Sequence, residues 1–359
     1  MRAILRDRET VRAICRRSGI SRQTAYKYLR RFLQEGRPGL KIRRRGRRPK
    51  RVGQWNEYAR LILHRRRRQP SWGAAKLHWW LRRQRPRCRL PSIRTVERWL
   101  QSAGLAVAPK RRPPQWRPRA SRVHRSNQVW TFDWKGWFRT GEGTIIEPLT
   151  VRDLGSRFLL WTLPVNSRSD QAVRRVCRRL FRSYGIPKII RTDRGGPFCK
   201  AGPYGLSSLS LWWYRLGIEV QFVSRRDGID NNAHEQMHRV LKQQTASPPA
   251  RTWQAQLLRL RRWQRHYNQE RPHAALGQRT PRQCYRPQPG PMPALLKPTY
   301  PCSWEVRTVR RNGDIWLHGR RYYISRVFTG LLVGCRRLAD GYQVYYHRLA
   351  LTTLTRSSS

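Results

Sequence analysis

The stretch Asn231-Asn232-Ala233-His234-Glu235-Gln236-Met237-His238-Arg239-Val240-Leu241-Lys242 sets one carboxylate among bases. At helical spacing Met237, Val240 and Leu241 share an apolar face, and Glu235, Arg239 and Lys242 share the opposite one. Alone, a Glu with Arg at i+4 and Lys at i+7 is an ion-pair ladder on a solvated surface. Two acids upstream give it another meaning. Asp133 lies inside the apolar run 129–134, and Asp193 closes the run 189–193 just before Gly195-Gly196-Pro197. A carboxylate in or at the end of a buried strand is costly unless something pairs with it, and a cation does so. Carboxylates from different elements converging on hard cations are what two-metal phosphoryl transfer requires. Mg²⁺ takes oxygen ligands and retains waters, so two or three acids suffice. His234 and His238 have the spacing of zinc ligands, but no third ligand is evident, and contacts to phosphate or to an acid are the better expectation. Asp153 reads as a strand-end acid paired with Arg152 or Arg157. Trp134 and Trp137 flank the first acid and are placed to stack on unpaired bases.

Three acids so far apart in sequence need a fold to gather them. From residue 128 the pattern is of strands: 128–135, a hairpin return through Gly141-Glu142-Gly143 to Ile145, and 157–162. A helix over 169–184 follows, with Ala172, Val173, Val176 and Leu180 inward, then a strand over 188–193, a helix over 206–216, a strand over 218–223 and the helix over 231–244. Three strands, helix, strand, helix, strand, helix is the order of an α/β RNase H-like fold. Another helix covers 253–266, and a Pro-rich linker spans 286–298. Residues 304–347 alternate apolar and polar and carry the turn dipeptides Asn312-Gly313 and Asp340-Gly341, which predicts a small β-barrel.

Upstream of the core the chain is all-α. A short helix over 11–15, a turn at Gly19-Ile20 and a second helix capped by Ser21 have helix-turn-helix spacing. In such a unit the second helix enters the major groove, with Arg22, Gln23 and Lys27 meeting bases or phosphates. A similar unit follows: one helix ends near Arg68, Ser71-Trp72-Gly73 opens another, and Pro91-Ser92 opens a third. Residues 36–50 and 108–125 are basic, Pro-punctuated linkers. The expected domains are therefore two helix-turn-helix units at 1–40 and 51–105, a catalytic core at 121–285 and an SH3-like β-barrel at 300–352.

Charge agrees with a polyanionic partner. With 78 Lys+Arg against 19 Asp+Glu, the formal charge is +59, and the unliganded chain repels itself. Against that background Asp133, Asp193 and Glu235 stand out. Seven cysteines with no CxxC pair read as free thiols in a reducing compartment. No apolar run is long enough to span a membrane and no signal peptide is recognisable, so a soluble, cytoplasmic protein is expected.

Several motifs carry a resemblance: Phe132-Asp133-Trp134-Lys135-Gly136, Pro148-Leu149-Thr150 with Asp153, Arg191-Thr192-Asp193 with Gly195 and Pro197-Phe198, Leu209-Ser210-Leu211-Trp212-Trp213, His234-Glu235 with Met237-His238-Arg239 and Leu241-Lys242, and Tyr267-Asn268 with Arg271-Pro272-His273. In this order they resemble the transposases of the IS481 family, bacterial relatives of retroviral integrases in the DDE superfamily. The resemblance covers most of the chain. It implies that Asp133, Asp193 and Glu235 form a catalytic triad binding Mg²⁺ or Mn²⁺, with Arg239 and Lys242 on DNA. It also implies double-stranded DNA partners, namely terminal inverted repeats and a target, a homo-oligomer on DNA, and a place in the bacterial nucleoid. The chain departs from the family at Arg194, where Asn is usual, at Asn232, where Gly is usual, and at Ala274, where Glu is usual; Arg225-Arg226-Asp227-Gly228 replaces the prolines before the last helix. A regulator that has lost catalysis and an RNase H-type nuclease are the rival readings. The second has no need of two sequence-reading units, and the first has no need of three acids.

Overall fold

Two side-chain caps and one left-handed glycine build the first helical pair. The computed structural model describes residues 10–41, 53–106, 123, 125–200, 202–223 and 232–355. The linkers expected at 42–50 and over most of 108–125, together with Arg225-Arg226-Asp227-Gly228 and Asn231, lie outside the described residues. The chain divides into a unit Met1–Asn56 and a unit Glu57–Ser359. In the first, helix α1 (Val11–Ser18) starts where the Thr10 side chain accepts from the Ala13 amide, and it ends at Gly19 with φ 63°. Glycine reaches that left-handed region without steric cost. Ser21 then caps α2 (Arg22–Glu35) by accepting from the Thr24 amide. Turn and cap fall where the sequence put them. Residues Arg37–Leu40, assigned to linker above, instead form a 3₁₀ turn.

The second unit centres on a five-stranded mixed sheet. Its strands are β1 (Val129–Trp134), β4 (Leu149–Asp153), β5 (Leu159–Trp161), β6 (Ile189–Thr192) and β7 (Glu219–Phe222); β2 (Phe138–Arg139) and β3 (Ile145–Ile146) form a separate hairpin. The order is β5-β4-β1-β6-β7, with β4 and β5 joined antiparallel and β6 and β7 parallel. Parallel neighbours need crossovers. Helix α6 (Asp170–Tyr184) makes the one into β6, and α7 (Ser208–Arg215) the one into β7. Strand alternation sends Trp130 and Phe132, with Val151 opposite, into a core shared with Val173, Leu180, Trp212 and Trp213. On the other face Leu159 and Ile146 pack on Met237, Val240 and Leu241 of α8 (Asn232–Thr245) and on Leu260 and Trp263 of α9 (Trp253–Gln269). This is a mixed α/β core with helices on both faces of the sheet.

Helices α3 (Gly53–Arg68), α4 (Ala74–Gln84) and α5 (Ile93–Ser102) pack around Ile62, Trp72, Leu77, Leu81 and Val96. Buried Arg66 ties their ends together by donating to the carbonyls of Pro70, of Trp72 at 2.6 Å and of Leu105 at 3.0 Å. The three helices dock on the core. Arg271, buried after α9, donates to Ser71 at 2.8 Å; Arg65 pairs with Glu270 at 2.8 Å; and the Trp72 ring stacks on His266. Part of the basic run 65–68 therefore holds protein to protein.

The Pro-rich stretch 286–298 has no regular structure but follows the core, where the amides of Gln288 and Leu296 donate to the carbonyls of Tyr184 and Arg215. Gly185 permits that approach, because a Cβ there would lie 2.1 Å from the Gln288 carbonyl oxygen. Beyond it, β8 (Glu305–Thr308), β11 (Leu332–Leu338), β12 (Gly341–Tyr346) and β13 (Leu349–Thr355) form a four-stranded sheet, and β9 (Asp314–Leu317) with β10 (Arg320–Tyr323) forms a two-stranded one. No ladder closes the two into a barrel among the described residues. Leu206 and Leu211 from the α7 region join the apolar cluster of this C-terminal part with Ile315, Phe328 and Val344. The seven cysteines are free thiols.

Arg271→Met keeps the volume at the α9 end and removes the Ser71 bond. It should cost about 1–3 kcal/mol and raise hydrogen exchange in α3–α5 while leaving β11–β13 protected. Unchanged exchange in α3–α5 would show that the docking does not depend on this contact.

Candidate active site

The side-chain period of β1 decides what Asp133 faces. Thr131 and Asp133 point to the side opposite Trp130 and Phe132, and the β1–β4 register sets Thr150 across from Asp133. Into this face α8 inserts His234, which is completely buried. Its Nε2 lies 2.7 Å from the Thr150 hydroxyl and its Nδ1 2.9 Å from that of Thr131. One turn later His238 brings Nε2 to 2.8 Å from the same Thr150 hydroxyl and Nδ1 to 3.8 Å from Asp133 Oδ2. Thr150 donates its own proton to the Asp133 carbonyl at 2.8 Å. The side chains of Asp133 and His238 are about as poorly exposed, at 18% and 13%.

Burial pushes the Asp133 carboxyl up to about 7, and the negative charges of Asp193 and Glu235 push it the same way. The charges of Asp193, at the end of β6, and of Glu235, on α8, thus reach Asp133, while the ligand atoms that lie within 4.8 Å of one another are those of Asp133, His234 and His238. Burial likewise lowers His238 to about 3, with Lys135 and Arg152 adding to the effect, and holds His234 well below its ordinary value. Both rings are neutral at physiological pH. Asp193 is exposed at the head of a turn in which the Gly195 amide donates to its Oδ1 at 3.2 Å. That turn is anchored by buried Phe198, stacked on Trp213 and Trp134. The Arg194 guanidinium lies over the Phe222 ring at 5.9 Å.

Bases surround the acids. Lys135 is lowered by burial and by Lys242, while Asp133 pulls it back up. Arg168, bonded to Glu147, sits 5.0 Å above the Trp134 ring and is favoured in its charged form by Glu147 and by Asp193. Glu235, Arg239 and Lys242 are all exposed on α8, as their spacing predicted. A desolvated carboxylate repelled by two others fits a hard divalent cation, which relieves the repulsion and leaves room for phosphate oxygens.

Other expected residues fall as follows. Arg22, Gln23 and Lys27 line an open concavity on α2 with Tyr26, Arg30 and Arg31. Trp137 is exposed, whereas Trp134 is half-buried and committed to Phe198. Asp153 is fully buried, and its bonded partners are the Asn127 amide, the Ser156 amide and the Ser156 hydroxyl rather than Arg152 or Arg157. Thr131 and Arg168 are not singled out by the sequence, and Thr150 and Lys135 enter only as members of longer motifs.

Comparison with known proteins agrees with this geometry. Two family models described as integrase core domain match residues 123–227 and 216–281, and a helix-turn-helix domain model matches residues 1–50. A Burkholderia multivorans protein of 31.7 kDa from insertion element IS407 is 26% identical over 233 residues, covering 62% of this chain and 78% of the relative. These matches support a DDE transposase or integrase that binds DNA. Among solved structures, a chain of the simian T-cell lymphotropic virus intasome in complex with PP2A regulatory subunit B56 gamma is 15% identical, covers 83% of this chain and 99% of its own, and has a TM-score of 0.40. The HTLV-2 integrase catalytic core domain in complex with magnesium is 13% identical over 45% of this chain and 98% of its own, with a TM-score of 0.36. No helix among the described residues is long and apolar enough to cross a membrane.

An acid raised in the native state holds a proton that the unfolded chain has released. Without metal, the contribution of Asp133 to stability should therefore be full below about pH 4 and be lost as pH rises through about 7. Asp133→Asn removes this loss. In urea unfolding with chelator, the variant should gain about 1–3 kcal/mol on the wild type between pH 5 and pH 8.5, and a pH-independent difference would contradict the raised carboxyl.

Proposed function

We propose that this chain is a DDE transposase of IS481 type that cleaves DNA at an element's ends and joins them to a target. In this reading Asp133, Asp193 and Glu235 bind Mg²⁺ or Mn²⁺. The observation that carries it is the poorly exposed Asp133 carboxyl on β1, with His238 Nδ1 at 3.8 Å and the charges of Asp193 and Glu235 acting on it from other elements. The bound cations supply activation of the attacking oxygen and charge stabilisation of the leaving one. The chain's own residues do the rest. Asp133 is fixed by β1 and its Thr150 neighbour, Asp193 by its turn on Gly195, and Glu235 by the anchoring of α8 through His234. Lys135, Arg239 and Lys242 attract the DNA backbone to the rim, with Arg168 near Asp193. A 3′-hydroxyl then attacks a target phosphate: one P–O bond forms, another breaks, and the released 3′-oxygen takes up a proton.

Helix α2 and the α3–α5 unit would read terminal inverted repeats, and the basic C-terminal sheets would hold phosphates without reading bases. A homo-oligomer on DNA in the bacterial cytoplasm, at the nucleoid, completes the reading. Asp133→Asn, Asp193→Asn and Glu235→Gln should each lower Mg²⁺- or Mn²⁺-dependent strand joining by roughly three orders of magnitude or more. Terminal DNA should be bound at least as well, since each change removes a charge that repels phosphate. Arg194→Asn should leave joining within about threefold, because its guanidinium is engaged over Phe222. Activity that survives Glu235→Gln would sink the triad; an inert wild type revived by Arg194→Asn would favour a decayed transposase.

A further inference from the structure

The Thr150 hydroxyl has one proton, and the direction in which it goes determines the state of both histidines. It lies 2.8 Å from the Asp133 carbonyl, which can only accept. The Thr150 oxygen must therefore accept from His234 Nε2 at 2.7 Å and from His238 Nε2 at 2.8 Å. Both neutral rings then carry their proton on Nε2 and a lone pair on Nδ1. For His234 that lone pair is met by the Thr131 hydroxyl at 2.9 Å, the shorter of that hydroxyl's two contacts, the other being to the Arg152 carbonyl at 3.3 Å. His238 differs: its Nδ1 faces Asp133 Oδ2 at 3.8 Å, too far for a hydrogen bond.

One nitrogen lone pair and one carboxylate oxygen thus face each other across a gap of metal-ligand size. Two donors each about 2.0–2.2 Å from one ion are spanned by such a distance. Ligand atoms of Asp133, His234 and His238 all lie within 4.8 Å of one another, but His234 has both nitrogens committed to threonines and is excluded. Sequence spacing adds an independent argument. Glu235-Gln236-Met237-His238 is a Glu-x-x-His element on one helix, and residues three apart share a helix face. In carboxylate-bridged metal centres this spacing presents an oxygen and a nitrogen to the same transition metal.

We propose that His238 Nδ1 is a direct ligand of the cation held by Asp133, making one position of the site a mixed nitrogen and oxygen position selective for Mn²⁺, Co²⁺ or Zn²⁺ over Mg²⁺. The inference rests on the reading of Asp133 as a metal-binding carboxylate. Its physical basis is ligand preference. Imidazole suits the later divalent ions, whereas Mg²⁺ gains little from exchanging a water for nitrogen. The Thr150 bond is what turns the ring, in the manner of an outer partner that fixes a ligating histidine's tautomer.

The full chain, free of DNA, tests this by two measurements. Pulsed EPR of the Mn²⁺-loaded wild type should show ¹⁴N coupling from a directly bound imidazole, and His238→Gln should abolish it. Calorimetric titration of His238→Gln should show Mn²⁺ and Zn²⁺ affinity falling about 10–100-fold while Mg²⁺ affinity stays within about threefold. Absent ¹⁴N coupling in the wild type, coupling that persists in His238→Gln, or an equal loss of Mg²⁺ affinity would each overturn the proposal. His238→Asn serves if the Gln variant does not fold, and the wild-type spectrum is decisive without either. Asp133→Asn separates the two readings. If it abolishes cation binding while the wild type lacks ¹⁴N coupling, only the histidine ligand is wrong; if cation binding is untouched, the carboxylate site itself is wrong.

Discussion

The structure of the α/β core turns on the cost of keeping Asp133 in a strand that is mostly buried. A carboxylate there can be neither removed nor fully solvated, so the surroundings must satisfy the backbone beside it and hold the elements that approach it. Thr150 does the first by donating to the Asp133 carbonyl, from a position that the β1–β4 register sets directly opposite. The same hydroxyl receives two histidines of α8. One side chain thereby couples the strand bearing the first acid to the helix bearing Glu235. A neutral, doubly bonded imidazole at His234 suits that role, since a charged ring buried at this depth beside Arg152 would be expelled.

Much of this was legible because periodicity and caps are local signals. The apolar stripe of Met237, Val240 and Leu241, the caps at Ser21 and Ser169, and the alternation along β1 all follow from neighbours a few residues apart. That Asp133, Asp193 and Glu235 stood out depended on the scarcity of acids in so basic a chain. What could not be read was any partner fixed by register or docking. Thr150 meets Asp133 through strand pairing, and Asp153 caps a turn with Ser156 and Asn127, where the sequence suggested an arginine beside it. The basic run at the end of α3 carries no local sign of a structural role. Two of its arginines instead serve structure, Arg66 on three carbonyls and Arg65 on Glu270, which only the folded arrangement reveals.

That docking alters what a second DNA-reading unit means. Helices α3–α5 are joined to α9 by Arg271, Glu270 and the Trp72–His266 stack, and α9 packs on α8, which carries Glu235. A groove read by α3–α5 would lie at a set distance from the acids, with no freedom of a linker between them. The C-terminal sheets are tied similarly, through Leu206 and Leu211, to the segment that follows the Asp193 turn. Both α3–α5 and the C-terminal sheets thus pack on the core through side-chain contacts, so any DNA surface on them would be held against the site rather than carried on a free linker.

A chain of net charge +59 keeps three acids together only by opposing two fields. Burial and the charge of Lys242 depress the protonation of Lys135 near Asp133, while burial and the charges of Asp193 and Glu235 raise the proton affinity of Asp133. With its carboxyl at about 7, Asp133 is close to half-protonated at neutral pH when no cation is present. A protonated Asp133 spares the empty site one negative charge and with it part of the repulsion. If Asp133 holds a divalent cation as proposed, loading it would expel that proton, and cation affinity would rise with pH until Asp133 is fully ionised. Incoming phosphate acts in the opposite sense, adding negative charge that favours retention of the proton unless the cation arrives with it. On the proposed reading, cation and DNA would therefore bind cooperatively, each lowering the cost of the other's charge beside the poorly exposed Asp133.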